Sequence, residues 1–323
     1  MQKDLMKEAP IPSNPPRSAV IIVNPASGSF PRHTHRLDET LAFLRRQDWR
    51  VDLQITKEPG DAQRFAREAV AKKIDVVISV GGDGTINEII QELAGTETAL
   101  GVLPCGTVNI WARETGIPLD DAGARGVLVH GQTRHIDLGY ANGRYFLLMA
   151  GIGFDGEVVH AVERKPIKRL GVIGYLLAGT WLIPGYPSFH AQLDIDGRKV
   201  RTRALQIIIG NTQLYGGAIK YTWQAKCDDG QLDVCIVRQR SMVGRFVVFM
   251  DFLLRRDQRR QWVRYYTCTS VKIRTRQPIA IQVDGDIAGH TPKGHKYLAF
   301  NVVPGALKVV VPQKLSEELF SNP

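Results

Sequence analysis

Several features that would assign this chain to a secreted, zinc-bound or membrane-spanning class are missing. Only four cysteines occur in 323 residues (Cys105, Cys227, Cys235 and Cys268). None forms a C-x-x-C pair and no histidine stands at zinc spacing, so they read as free thiols in a reducing compartment. Residues Met1–Arg17 carry acids and Pro12, Pro15 and Pro16 but no apolar core. They are expected to be a flexible tail and not a signal peptide, and a cytoplasmic location follows. The strand–helix region before residue 132 has neither G-x-x-x-x-G-K-[ST] nor G-x-G-x-x-G, which removes the P-loop and the dinucleotide fingerprint there. Acids are fewer than bases, 32 against 42, giving a formal charge of +10. That excludes an acidic disordered chain and predicts an anionic partner: phosphate, nucleic acid or a negative membrane surface.

What is present is organised around Ile74–Leu93, IDVVISVGGDGTINEIIQEL. Its start is a short β-branched run, long enough for one buried strand. It breaks at Gly81-Gly82-Asp83-Gly84-Thr85. Ile86, Ile89, Ile90 and Leu93 then recur at helical spacing, and Thr85 with Glu88 stands at capping-box spacing, which predicts a helix start close to Thr85. A glycine loop at a helix N-terminus offers free N–H groups, a positive dipole end and close backbone approach, the requirements of a phosphate. The plainer alternative is a tight turn that needs three glycines. Asp83 argues against it, because an acid among phosphate donors is explained by holding Mg²⁺.

Three further strands end in the same manner. Ala19–Val23 delivers Asn24-Pro25-Ala26-Ser27-Gly28, Val51–Ile55 delivers Thr56, and Ala99–Leu103 delivers Pro104-Cys105-Gly106-Thr107-Val108-Asn109. Helices are predicted over Leu37–Arg46 and Ala62–Ala71. This βαβα rhythm predicts a parallel sheet with its loops gathered at the carboxyl edge, where open α/β folds bind ligands. The repetition makes the case for a nucleotide more than any single loop does. Beyond about residue 132 short alternating segments take over, separated by Asn142-Gly143, Asp196-Gly197, Asp229-Gly230 and Asp284-Gly285. These predict an antiparallel β-sandwich, with helical insertions near 168–183 and 241–258. A chain of this length is expected to hold two domains: an α/β domain over 18–132 and a sandwich over 133–311, with 312–323 able to pack back on the first.

NPASG, GGDGTINE, LPCGTVN, His135-Ile136-Asp137-Leu138-Gly139, Gly151-Ile152-Gly153-Phe154-Asp155, Cys227-Asp228-Asp229-Gly230 and Val283-Asp284-Gly285-Asp286 stand in the order found in the diacylglycerol kinase catalytic family. Over about residues 18–312 the chain resembles a bacterial, soluble-type lipid kinase of that family, which includes sphingosine and ceramide kinases. GGDGT alone is shared with NAD kinases and resembles the phosphofructokinase loop; the combination is more specific. The resemblance implies an ATP-binding α/β domain, a β-sandwich and an active site in the cleft between them. It implies that Asn24, Pro25, Ala26, Ser27, Gly28, Thr56, Gly82, Asp83, Gly84, Thr85, Ile86, Asn87, Glu88 and Thr107 hold ATP. Asp83 would sit near the catalytic Mg²⁺, with Asp137 in the same acidic network. Lys226, Asp229 and Gln231 would form a structural Mg²⁺ site, the first and last through backbone carbonyls.

The acid of the late D-G-acid turn would be the general base. In bacterial members it is usually Glu; here it is Asp286, one methylene shorter. Either the sandwich sits closer or Asp284 takes the role. Where the family often reads G-T-x-N-D, this chain has Ile110, and one acid of the metal-linked network is lost.

Leu170–Phe189 is uncharged over twenty residues, a borderline length for a membrane span, and Pro184 and Pro187 argue against one. A buried or interfacial helix over Leu170–Ile183 is predicted, preceded by the basic cluster Arg164, Lys165, Lys168 and Arg169. Arg255–Arg264 is a second basic run, without a nucleic-acid motif. Docking on the anionic inner face of the membrane, with no nucleic-acid partner, is the reading preferred to a solvated basic start. The expected activity is ATP-dependent phosphorylation of a membrane lipid alcohol, diacylglycerol or a sphingoid- or ceramide-type lipid. Two alternatives stay open: a catalytically weak nucleotide- and lipid-binding protein, and a soluble-substrate kinase of the NAD kinase type. The oligomeric state, a homodimer included, is not encoded in any motif.

Overall fold

Four short strands in the first third of the chain align in parallel. They are β1 (Ser18–Val23), β2 (Arg50–Ile55), β3 (Val76–Gly81) and β4 (Ala99–Pro104), in the spatial order β2-β1-β3-β4. Helices α1 (Thr34–Arg46), α2 (Asp61–Ala71), α3 (Asp83–Leu93), α4 (Ile110–Thr115) and α5 (Asp121–His130) connect and flank them. The computed structural model describes residues 17–28, 34–163, 185–216, 219–238, 241–253 and 262–321. The uninterrupted apolar runs have their cause in burial: every residue of β3 and β4 is buried. β2 is the edge, and there Leu53 and Ile55 stay 36% and 48% exposed.

At α3 the expected capping box does not form. α3 starts at Asp83, with Gly82 in extended conformation as its cap and no side-chain capping bond. Thr85 therefore lies inside the first turn, and Glu88 accepts instead from the N–H of Gly60 at 3.1 Å. α4, α5 and a later helix over Phe154–Glu163 lie in segments where no helix was predicted.

The second half is antiparallel: β5 (Gln132–Ala141), β6 (Arg144–Phe146), β7 (Met149–Gly153), α6 (Phe154–Glu163), β8 (Phe189–Ile195), β9 (Arg198–Gly210), β10 (Leu214–Tyr215), β11 (Ile219–Lys220), β12 (Leu232–Arg238), α7 (Met242–Leu253), β13 (Val263–Cys268), β14 (Ser270–Thr275), β15 (Ala280–Val283), β16 (Asp286–His290) and β17 (Leu298–Val311). Asn142-Gly143, Asp196-Gly197 and Asp284-Gly285 all take positive φ at both positions, the two-residue hairpin conformation that matches strand twist. Asp229-Gly230 does not: only Gly230 is left-handed, and the pair belongs to a longer loop between β11 and β12. α7 fills the first part of the insertion expected over 241–258. The predicted helix Leu170–Ile183, its basic cluster Arg164–Arg169 and most of Arg255–Arg264 lie outside the described residues.

β17 ties the halves together. Its beginning pairs with β14 and its length with β5, while Val309 runs parallel to Leu100 of β4. Leu315, Leu319 and Phe320, beyond it, join the core of the parallel sheet. A second core, with Ile207, Ile209, Val234, Val271 and Phe300, fills the sandwich.

Gly151-Ile152-Gly153-Phe154-Asp155-Gly156 has dinucleotide-loop spacing at the junction of β7 and α6. Its glycines serve packing. A Cβ on Gly153 would lie 2.6 Å from the Leu205 carbonyl, and one on Gly156 2.8 Å from Ala280 backbone. Protein occupies the space a pyrophosphate needs.

Candidate active site

Two loops meet at the carboxyl edge of the parallel sheet with only glycine between them. A Cβ on Gly106 would lie 2.5 Å from the Cα of Gly82. Around this contact the N-P-x-S-G turn closes on itself: Asn24 Oδ1 accepts from Ala26 N at 3.0 Å, and Asn24 Nδ2 donates to Thr85 Oγ1 at 3.1 Å. Ser27 Oγ donates to the Cys105 carbonyl at 3.1 Å, and Gly28 lies against Thr107. Thr56 N donates to Val23 O, so this loop leaves β2 level with Asn24. A cavity of about 490 Å³ opens here, lined by Asn24, Pro25, Ala26, Thr56, Thr85 and Glu88 among others. These six were expected to hold the nucleotide. Ile86, also expected to, turns into the core: it is 3% exposed, and its N–H is bonded to Gly82 O.

A second cleft, of about 250 Å³, lies on the other side of the first turn of α3. Asp83, Gly84 and Thr107 line it from the α/β side, and Asp284, Gly285 and Asp286 from the sandwich side. Val108, Ile110, Leu148, Met149 and Leu214 give it an apolar wall. Asp286 Oδ2 accepts from Asn87 Nδ2 at 3.1 Å and from Arg144 Nη2 at 3.0 Å. Gln91 makes two bonds with the backbone of Tyr145, one from Nε2 to O and one to Oε1 from N, both 3.0 Å. α3 is thus locked to β6 and to the D-G-D turn together. Arg144 and Gln91 carry no motif in the sequence and escaped it.

Asp284 does different work from Asp286. Its carboxylate accepts from Leu147 N at 2.7 Å and from Leu148 N and Met149 N, each at 2.9 Å. Burial pushes its pKa up to about 7 against those three donors. Gln282 supports the turn, accepting from Gly285 N at 2.8 Å and donating to buried Asp155 at 2.6 Å.

Asp83 faces the start of α4. Its oxygens accept from Ile110 N at 3.0 Å and Trp111 N at 3.2 Å, and burial raises its pKa. The backbone of Ile110, not its side chain, thus meets Asp83. Asp137 is elsewhere. It accepts from Gly230 N at 2.6 Å and Gly305 N at 2.7 Å; burial raises its pKa, and the nearby charge of Asp228 adds to that. Asp229 shares that group, bonded to Gln231 N at 3.0 Å and raised by burial, with Asp137 and Asp228 adding to it. The Lys226 ammonium donates to the Glu317 and Phe320 carbonyls at 2.8 Å. Among the described residues no three His, Cys, Asp or Glu side chains gather as a metal cage. Each Asp83 oxygen, with one N–H bond, keeps a lone pair. This suits a Mg²⁺ ion held by one carboxylate and substrate phosphates, the usual arrangement for that ion.

Comparison with known proteins identifies relatives over nearly the whole chain. Residues 18–141 match the family model of the diacylglycerol kinase catalytic domain, and residues 149–311 match that of the YegS C-terminal NAD kinase beta sandwich-like domain. The chain is 30% identical over 309 residues to the diacylglycerol kinase of Bacillus subtilis (strain 168), covering 94% of this chain and 99% of that protein. It is 29% identical to a diacylglycerol kinase of Staphylococcus aureus (strain bovine RF122 / ET3-1), covering 95% and 96%. A crystal structure from Bacillus anthracis str. Sterne, 26% identical, superposes with a TM-score of 0.75 over 91% of this chain and 97% of its own.

Proposed function

The chain belongs to the diacylglycerol kinase family, a family of kinases, and from that premise we propose that it transfers the γ-phosphate of ATP to the hydroxyl of a membrane lipid alcohol. Diacylglycerol or a sphingoid- or ceramide-type lipid is the acceptor class. One observation carries the reading: the first turn of α3 borders two cavities at once. The 490 Å³ pocket suits the nucleotide, and the 250 Å³ cleft, with its apolar wall and its two acids, suits a lipid head. The transferring phosphate then lies at Gly82–Thr85, where helix N–H groups and the dipole favour an anion.

Asp286 takes the proton of the attacking hydroxyl. Its Oδ2 is occupied by Asn87 and Arg144, which leaves Oδ1 for the substrate. The lipid oxygen bonds to the γ-phosphorus, the bond to the β-phosphate oxygen breaks, and ADP leaves with that electron pair. Asp83 would hold Mg²⁺, which supplies charge neutralisation on the phosphates. Most of the catalysis in such a transfer is positioning and electrostatics. No helix among the described residues is long and apolar enough to cross a membrane. Docking on the inner leaflet through Arg164, Lys165, Lys168 and Arg169 is proposed on sequence grounds.

The test is label transfer from γ-labelled ATP to a panel of lipid alcohols in mixed micelles, with NAD⁺ as a soluble control. Label in a lipid alcohol is expected. Label in NAD⁺ alone, or in no acceptor, overturns the proposal.

A further inference from the structure

β8 lies between β9 and β14 in the sheet, and the outward positions of the three strands fall into rows. Gln192 stands opposite Arg201 on one side and Arg274 on the other, and His190 stands opposite Arg203. Arg238, at the end of β12, comes alongside β9 at Ala204, and Arg276 follows β14. Together they line a groove of about 630 Å³ with His190 and His295. The groove is remote from the cleft described above. Seven residues of β9 separate Arg203 from Gly210, which pairs with the cleft residue Met149; at strand rise that is roughly 23 Å.

Among the described residues no carboxylate lines the groove. Among the described residues none of its five arginines forms an ion pair. Their contacts are with neutral groups: Arg274 donates to Gln192 Oε1 at 2.5 Å and meets His295 Nδ1 at 3.0 Å, and Arg203 Nε donates to Ser188 Oγ at 2.8 Å. Asp194, the next outward residue of β8, is opposite Lys199 and Lys272 and accepts from Gly197 N. It does not neutralise the arginines. Like charges gathered across neighbouring strands cost stability, and neutral contacts orient the guanidinium forks without cancelling their charge. Arginine forks match the oxygens of a phosphate in pairs. At the rim, Tyr297 is 46% exposed with its ring 5.3 Å from the Arg274 guanidinium, an amphipathic side chain of the kind that sits at headgroup level.

We propose that this groove is a phosphoester-binding site, separate from the interdomain cleft, that holds the phosphate of an anionic lipid headgroup or of a free phosphate ester between the arginine forks of β9, β12 and β14.

The test uses the full chain without nucleotide. Calorimetry with glycerol 3-phosphate is run beside sedimentation with phosphatidylcholine vesicles containing or lacking phosphatidylserine. The variant Arg201→Gln/Arg276→Gln changes two side chains at exposed positions and is expected to weaken binding about tenfold, as the loss of charge-assisted bonds predicts. Weakening confined to phosphatidylserine vesicles identifies the ligand as a headgroup. Weakening confined to glycerol 3-phosphate, at one site per chain, identifies a soluble ester. The matching lysine variant, Arg201→Lys/Arg276→Lys, is expected to bind less well than wild type, because an ammonium offers no fork. Wild-type binding by the glutamine variant, or full binding by the lysine variant, overturns the proposal in favour of a solvated basic face. Phosphate transfer to a short-chain, water-soluble acceptor stays unchanged in both variants, so this result is independent of the reaction at the cleft.

Discussion

Asn87 and Asp286, 199 residues apart in sequence, are joined by a 3.1 Å hydrogen bond between Nδ2 and Oδ2. Asn87 is 1% exposed in α3, the helix that the glycine loop opens into. The bond therefore sets the position of the proposed base relative to the phosphate-binding turn.

Replacement of Asp286 should separate chemistry from binding. Asp286→Ala is expected to lower turnover by ~10²–10⁴, the usual contribution of a general base, with the KM for ATP unchanged. Asp286→Glu should retain transfer, since it keeps a carboxylate on the same turn, one methylene farther out. Asp284→Ala should instead lower the melting temperature, because three backbone N–H groups lose their acceptor. Full turnover in Asp286→Ala would move the proton to another group.

Asp83→Asn is expected to lose phosphate transfer and stability together. The amide is isosteric with the carboxylate, but both oxygens receive backbone N–H groups from α4. The amide turns an NH₂ toward one of them, leaving donors unmatched at a cost of about 1–3 kcal/mol. A variant with unchanged urea midpoint contradicts the role of Asp83 as anchor of α4.

At Gly106→Ala the two phosphate-side loops are forced apart, because the new methyl would meet Gly82 Cα at 2.5 Å and Asn109 Oδ1 at 2.7 Å. The expected results are a destabilisation of about 1–3 kcal/mol and weaker ATP binding, read by calorimetry. Gly84→Ala is the control for stability alone: no protein atom lies within 4 Å of its Cβ position. Equal ATP affinity in Gly106→Ala and wild type refutes the close-approach argument.

Stability should fall as pH rises from about 5 to 7. Burial raises Glu114 from 4.5 to about 7, although it accepts from the N–H groups of Gln213 and Leu214. Below 4.5 the carboxyl is protonated folded or unfolded, and its contribution is complete. Between the two values the unfolded chain loses its proton first, which favours unfolding; above about 7 the loss is complete. The bound from linkage is about 3 kcal/mol. Urea midpoints across this range should decline less steeply for Glu114→Gln than for wild type. A slope remains, because Asp155 and Asp233 are raised by burial to about 6 and about 7. A wild-type profile that rises with pH contradicts the assignment.

The four parallel strands and their terminal loops were legible because each is a local pattern: an apolar run needs burial, and a glycine turn at a helix start needs no distant partner. The hairpins at Asn142, Asp196 and Asp284 were legible for the same reason. The capping box itself does not form, because Glu88 is taken by the N–H of Gly60, a partner that its spacing from Thr85 cannot reveal. Division of labour in the D-G-D turn came only with the tertiary structure. Asp284 and Asp286 are two acids two residues apart, and what separates them is that one meets the Leu147–Met149 backbone and the other meets Asn87 and Arg144. The partner that Asp83 finds in α4, and the separation of Asp137 from it, are likewise set by chain segments far away in sequence. So is the arginine groove. Arg201 and Arg203 in β9, and Arg274 and Arg276 at the end of β14 and just past it, can be read in order, but their convergence depends on β8 lying between the two strands, and strand order follows from how whole faces pack rather than from any one strand's residues.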